Sequence, residues 1–153
     1  MVRNTECITE KIKNKGKYTI ATWNIKSMSV GKLENVNQEM KIDILGVSEL
    51  RWKSNGHFKS DVTTIYFSGN DSVKRNGVAI LLNQKTERSL LGYKTVCGRI
   101  IYIRLKAYSV NITCIQVYAP TTDADTEEVE EYYQKLQQVL QEIPKERFPT
   151  SNE

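Results

Sequence analysis

Hydrophobic and β-branched residues occur along this chain in short runs that are separated by polar segments containing Gly, Pro or Asn. The run 42–50 has the length and the β-branched content of a strand, so it favours a buried strand over a helix. The other runs alternate in polarity or are bounded by turn residues, as strands are. The predicted strands are 18–24, 42–50, 62–68, 77–83, 99–107 and 110–118. The last two form an antiparallel hairpin around Tyr108 and Ser109.

A segment between the first two strands has the spacing of a short amphipathic helix. In 29–41, the apolar residues Leu33, Val36 and Met40 lie three or four positions apart. Because this helix follows one predicted strand and precedes another, the three elements form a βαβ unit. The two strands of such a unit are parallel and are joined by a right-handed crossover.

A second helix is predicted over 125–143. Asp123 or Asp125 caps it, four glutamates suit the positive end of its dipole, and Pro144 ends it. Its apolar residues form one continuous stripe, which we expect to dock on the sheet. The stripe consists of Val129, Tyr132, Tyr133, Leu136, Val139, Leu140 and Ile143.

The length of 153 residues favours a single domain. We assign 18–144 to this domain and predict that 1–17 and 145–153 are disordered tails. The first alternates charged and polar residues and contains lysines that repel one another, and the second has no strand pattern. The first tail is basic. It is either a solvated terminus or an arm that binds nucleic acid or directs the chain to the nucleus.

The net charge of +4 is unevenly distributed. Residues 18–122 contain 14 basic and seven acidic residues, a net charge of +7. Residues 123–153 contain three basic and nine acidic residues, a net charge of −6. The strand-forming part is therefore more basic than the whole chain, which favours an anionic partner such as a phosphate backbone.

Several classes of protein are disfavoured by the composition. The three cysteines have no paired spacing, which argues against a zinc ribbon and for a reducing compartment. The N-terminus lacks the apolar region of a signal peptide, and no apolar run approaches the length of a membrane span. We therefore expect an intracellular protein, nuclear or cytoplasmic. His57 has no second histidine beside it and is interpreted as a surface residue.

Polar residues stand at the ends of two predicted core strands. Asn24 ends the first strand, and Glu49 lies at the end of the second. Because these strands are predicted to be parallel, both residues lie at the same edge of the sheet, where open α/β sheets bind ligands. Glu49 is therefore the first candidate for chemistry. The alternative is an exposed acid that is partnered by Arg51.

Four short motifs in this order give the chain a resemblance to a known family. They are Trp23-Asn24, Ser48-Glu49-Leu50-Arg51-Trp52, Arg75-Asn76-Gly77-Val78-Ala79-Ile80 and Val117-Tyr118-Ala119-Pro120-Thr121. From about Thr19 to Lys145 the chain resembles the endonuclease/exonuclease/phosphatase superfamily, which has the deoxyribonuclease I-like fold. Its motifs are similar to those of the endonuclease domain of BovB-type retrotransposons of the RTE clade. Domesticated relatives of that domain include craniofacial development proteins.

The resemblance implies roles for individual residues. Glu49 would bind the Mg²⁺ ion that neutralises charge on the scissile phosphate. Asn24 would orient the metal-bound group or the catalytic carboxylate, and Tyr118 would hydrogen-bond a phosphate oxygen. Four further residues are candidate contacts to nucleic acid, the alternative being a solvated loop. These are Arg51, Trp52, Lys74 and Arg75.

The chain also departs from the family pattern. Family members continue into a Gly-Asp-x-Asn strand and an Asp-His pair that activates water, and neither motif occurs here. The expected fold is therefore an α/β, deoxyribonuclease I-like sandwich truncated to roughly its first sheet with the flanking helices. One inner sheet face would then be open to water and available to a protein partner.

Several functions remain open at this point. The first is a truncated, retrotransposon-derived endonuclease-like domain whose family activity is Mg²⁺-dependent hydrolysis of phosphodiesters in DNA. Without the missing groups, we expect this chain alone to be inactive or nearly so. The alternatives are a non-catalytic nucleic-acid-binding remnant, a protein-interaction remnant and a phosphatase that acts on small phosphoesters.

Overall fold

Two β-sheets and a long helix form the part of the chain that the structure describes. This computed structural model describes residues 10–12, 18–25, 35, 38, 41–70, 77–108 and 110–143. In chain order the elements are β1 (Glu10–Ile12), β2 (Tyr18–Asn24), β3 (Ile44–Leu50), β4 (Asn55–Ser60), β5 (Thr63–Ser68), β6 (Gly77–Leu82), α1 (Gln84–Glu87), β7 (Leu90–Cys97), β8 (Ile100–Leu105), β9 (Ile112–Val117) and α2 (Thr126–Glu142). The predicted α/β class is confirmed.

Sheet A contains six strands in the order β1-β2-β3-β6-β5-β4. The predicted parallel pairing is confirmed, because β2 and β3 run in the same direction with Asn24 opposite Ser48. The remaining neighbours in sheet A are antiparallel. Of the predicted helix 29–41, the structure describes only Asn35, Gln38 and Lys41, so that prediction lies almost wholly outside the described residues.

Sheet B contains three antiparallel strands in the order β7-β8-β9 and packs on one face of sheet A. The expectation that the second sheet would be largely absent, leaving an inner face open, is therefore wrong. The predicted hairpin supplies β8 and β9, whose apolar side chains cover that face. The buried residues of this interface are Ile44, Tyr66, Val78, Ile80, Leu82, Ile101, Ile103 and Leu105.

The opposite face of sheet A buries a second apolar cluster. Its buried members are Ala21, Ile25, Ile42, Leu45, Val47, Leu50, Ile65, Ala79 and Leu81. Strand β3 contributes to both clusters, since Ile44 faces sheet B whereas Leu45 and Val47 face the other way. Burial on both faces explains why this strand begins with four successive nonpolar residues, 44–47.

Helix α2 packs on the outer face of sheet B. Asp125 caps its N-terminus, because the carboxylate accepts a 2.7 Å hydrogen bond from the backbone N–H of Glu128. The prediction that all seven apolar residues dock on a sheet is wrong for Tyr133 and Leu140, which are exposed, and Val129 lies outside the buried cluster. The contact stripe is narrower and runs through Tyr132, Leu136, Val139 and Ile143. Among the described residues, no helix has the length and apolar character needed to cross a membrane.

Four short elements differ from the sequence predictions. Strand β4 lies between the predicted strands 42–50 and 62–68, and β7 lies between the predicted strands 77–83 and 99–107, where no element was predicted. Both are edge strands with exposed polar positions, so they lack the pattern of a buried strand. Helix α1 has a single turn, and β1 pairs with β2 inside the predicted tail 1–17. The predicted tail 145–153 lies outside the described residues.

Candidate functional site

The ends of three strands meet at one edge of the two-sheet structure. Tyr118 directly follows β9 in sheet B, and its hydroxyl donates a 2.6 Å hydrogen bond to Glu49 Oε1 in sheet A. Asn24 ends β2 opposite Ser48, one residue before Glu49, and is exposed. The structure thus joins two of the three predicted catalytic residues directly and places the third at the end of the adjacent strand.

Glu49 has an unusual backbone conformation. Its φ of 63° lies in the left-handed region, which costs a residue with a side chain roughly 1–3 kcal/mol. The register between β3 and β6 shifts between Ser48 and Leu50, so Glu49 is the extra residue of a bulge. Gly77 lies opposite Leu50, where a Cβ atom would come within 2.9 Å of the Leu50 carbonyl oxygen. Bulges of this kind redirect a side chain, and here the side chain is directed to Tyr118.

The environment of Tyr118 keeps its hydroxyl protonated. Burial raises its pKa to about 12, and the hydrogen bond to Glu49 and the charge of that carboxylate act in the same direction. The positive charge of Arg99 opposes them and lowers the pKa. At neutral pH the hydroxyl is therefore a hydrogen-bond donor and not a phenolate.

Arg99 is a residue of this site that the sequence analysis missed. Its guanidinium lies 5.3 Å from the centroid of the Tyr118 ring, and Nη1 donates a 3.1 Å hydrogen bond to the Tyr118 carbonyl oxygen. Its Nη2 forms a 2.8 Å ion pair with Glu128 Oε1 of α2. The predicted hairpin already indicated that Arg99 lies beside Tyr118, because a turn centred on Tyr108 and Ser109 places these two residues opposite each other.

The residues that are predicted to contact nucleic acid differ in how far they are buried. Arg51 is exposed. The Trp52 ring is partly buried, with its centroid 5.8 Å from that of Phe58 and 5.2 Å from that of Phe67, so much of it packs within the protein. Lys74 and Arg75 lie outside the described residues. His57 is exposed, as predicted, and shares a 2.9 Å hydrogen bond with the Tyr93 hydroxyl.

The donor atoms at this edge fit Mg²⁺ and do not form a complete protein cage. Glu49 Oε1 accepts from Tyr118, which leaves Oε2 for a cation, and the carbonyl of the Asn24 amide is a second oxygen donor on the adjacent strand. Within the described ranges, no three His, Cys, Asp or Glu side chains gather as a metal-binding group. One carboxylate supplemented by water and phosphate oxygens is a common arrangement for Mg²⁺.

Comparison with known proteins gives two close relatives of one name. No family model matches the chain. It is 44% identical over 134 residues to Craniofacial development protein 2 of Bos taurus, and 43% identical over 134 residues to the protein of that name from Tragulus javanicus. Each match covers 86% of this chain and 23% of the relative. Over most of its length, this chain is therefore similar to proteins named Craniofacial development protein 2, and it spans about a quarter of their length.

Proposed function

We propose that this chain carries part of a Mg²⁺-dependent endonuclease-like site of the endonuclease/exonuclease/phosphatase type, of retrotransposon origin. The contact between Tyr118 and Glu49 is the observation that supports it. A carboxylate on a strained bulge and a protonated phenol are held 2.6 Å apart at the end of a parallel strand pair. Strained backbone at such a position is typical of functional sites.

Each side chain at this edge can make a different contact with a phosphodiester. Glu49 would hold Mg²⁺ with the help of Asn24, and the bound ion would neutralise charge on the phosphate. The Tyr118 hydroxyl would donate a hydrogen bond to a phosphate oxygen as negative charge grows there. Exposed Arg51, two residues after Glu49, would contact a neighbouring phosphate.

Binding without efficient cleavage is the behaviour we expect of this chain alone. Hydrolysis needs a group that takes a proton from the attacking water. Tyr118 is protonated, and the Gly-Asp-x-Asn and Asp-His motifs that supply such a group in the family do not occur in this sequence. A nuclear or cytoplasmic location, as expected from the sequence, would give the protein access to nucleic acid.

Binding of a fluorescently labelled DNA duplex, followed by anisotropy, tests this proposal. We expect affinity to fall steeply with salt, and the Arg51→Ala variant to reduce the slope of log affinity against log salt by about one. Lys94→Ala is the control, because Lys94 is also exposed but lies on β7, where it is paired with Glu142 at the C-terminal end of α2. Binding that is absent at low salt, or insensitive to salt, would contradict the proposal.

Incubation with supercoiled plasmid and Mg²⁺ tests the expected lack of activity. We expect no nicking by the purified chain, because its sequence lacks the Asp-His motif that activates water in the family. Nicking that is lost in the Glu49→Ala variant would show that the expectation of inactivity is wrong, although it would support the role of Glu49.

We propose as a second candidate function that the protein binds an extended partner segment along β9. All residues of β9 are partly exposed, and among the described strands it pairs only with β8. A cavity of about 220 Å³ lies beside it, lined mainly by apolar residues that include Ile20, Ile44 and Cys114. A segment with alternating apolar residues suits this edge. A monodisperse monomer that binds no hydrophobic dye would contradict this candidate.

A further inference from the structure

Arg99 connects three parts of the molecule that meet beside the candidate site. It directly precedes β8, and its backbone carbonyl accepts a 2.9 Å hydrogen bond from the N–H of Tyr118. Its side chain then crosses the connection between β9 and α2. That connection begins at Tyr118 and ends at the first turn of α2, where Glu128 is located.

The guanidinium of Arg99 holds both ends of this connection. One nitrogen donates to the carbonyl oxygen of Tyr118 at 3.1 Å, and another contacts Glu128 at 2.8 Å. The side chain of Arg99 is only 15% exposed, whereas that of Glu128 is 45% exposed. A planar guanidinium can hold two acceptors in fixed directions, which an ammonium on a flexible chain cannot do as well.

The same side chain also limits the movement of the Tyr118 ring. The guanidinium carbon lies 5.3 Å from the ring centroid, within the range of a cation–π contact. The other end of the ring is fixed by the hydrogen bond to Glu49. Tyr118 is thus held by sheet A through its hydroxyl, and by Arg99 through its ring and its carbonyl.

We propose that Arg99 is the positioning residue that holds Tyr118 against Glu49, and that Glu128 of α2 orients Arg99 for this task. Through Glu128, helix α2 then contributes to the candidate site, although the helix comes much later in the sequence than Glu49. The role of Tyr118 in binding phosphate rests on the proposed function. The positioning of Tyr118 by Arg99 does not.

Fluorine NMR of the full chain labelled with 3-fluorotyrosine tests this inference. The signal of Tyr118 is assigned with the Tyr118→Phe variant, and its change between H₂O and D₂O measures exposure of the ring to solvent. We expect a small change in the wild type. In Arg99→Gln we expect a larger change, which approaches that of Tyr108, a residue that is 78% exposed. Arg99→Lys, which keeps the charge but loses the planar fork, is expected to fall between the two.

A matched pair of variants separates positioning from general stabilisation. Glu128→Gln and Glu142→Gln each remove one carboxylate from a 2.8 Å ion pair between α2 and sheet B. The two glutamates are similarly exposed, at 45% and 49%. We expect Glu128→Gln to lower thermal stability slightly more than Glu142→Gln, because a carboxylate is favourable only near the N-terminus of a helix, and we expect a changed Tyr118 signal in Glu128→Gln alone.

The outcomes decide the inference whether or not the chain binds DNA. A Tyr118 signal that is unchanged in both Arg99→Gln and Glu128→Gln would overturn it, and so would equal changes in Glu128→Gln and Glu142→Gln. If Arg99→Gln does not fold, Arg99→Lys and the two glutamate variants still give the answer. A changed signal together with undetectable DNA binding would refute the proposed function and leave the positioning role intact.

Discussion

Replacement of Leu105 by Ala should lower the free energy of unfolding by about 2–5 kcal/mol. Leu105 is fully buried in the interface between the two sheets, where the truncation would leave a cavity. Urea unfolding followed by circular dichroism measures the loss. A single sheet with an open inner face would instead leave this side chain in contact with water, so the experiment also tests the architecture.

Leu91→Ala is the matched control for this substitution. Leu91 is on β7 of the same sheet, but it is 53% exposed. We expect its replacement to change the free energy of unfolding by no more than about 0.5 kcal/mol. Equal, small losses in Leu105→Ala and Leu91→Ala would show that sheet B does not pack on sheet A.

Replacement of Gly69 by Ala should disturb the segment that carries Arg51. A Cβ atom on Gly69 would overlap the carbonyl oxygen of Trp52 and lie 2.9 Å from that of Ser54. These are backbone atoms and cannot rotate away, and the Gly69 N–H also donates a 2.7 Å hydrogen bond to the Ser54 carbonyl. We expect a loss of about 1–3 kcal/mol in the free energy of unfolding and weaker DNA binding.

Gly92→Ala provides the comparison for Gly69→Ala. A Cβ atom on Gly92 would meet no atom within 4 Å, so the same change should be neutral or stabilising by up to about 1 kcal/mol. Urea unfolding and fluorescence anisotropy with labelled DNA measure both variants. Equal stability and equal DNA affinity for the two variants would show that the contact between Gly69 and the segment 52–54 is not close.

The candidate site could be located from the sequence because its residues are marked by local patterns. Glu49 and Asn24 are polar residues at the ends of apolar strands, and the intervening helical pattern predicted that these strands are parallel. The hairpin was also placed in register, since its predicted centre pairs Ile100 with Val117, as observed. Each of these features depends on neighbours in the sequence, and a single chain contains that information.

The arrangement of the two sheets could not be predicted from the same patterns. Ile101 and Ile103 face sheet A, whereas Ile100 packs against α2, so β8 is buried on both sides. An apolar hairpin does not specify which sheet it joins, because that choice depends on contacts between distant parts of the chain. The edge strand β4 begins with Asn55-Gly56, a pair typical of turns, and most of its residues are exposed.

The bulge at Glu49 could not be predicted from the sequence either. Its φ of 63° arises from the shift in pairing between β3 and β6, in which Leu50 is placed opposite Gly77. The sequence contains Gly77, but it does not show which residue of β3 lies opposite. The ion pair of Arg99 with Glu128, 29 positions away, could not be predicted either, because it depends on how α2 packs on sheet B.

Paramagnetic broadening by Mn²⁺ tests most directly whether Glu49 is a cation site. Mn²⁺ binds the same oxygen donors as Mg²⁺ and broadens the NMR signals of nearby nuclei. In ¹⁵N-labelled wild-type protein we expect selective loss of the amide signals of Asn24, Glu49 and Tyr118. In Glu49→Gln we expect these signals to persist, whereas Glu142→Gln should behave as the wild type. Broadening that persists in Glu49→Gln, or that is centred on the acidic first turn of α2, would contradict the account.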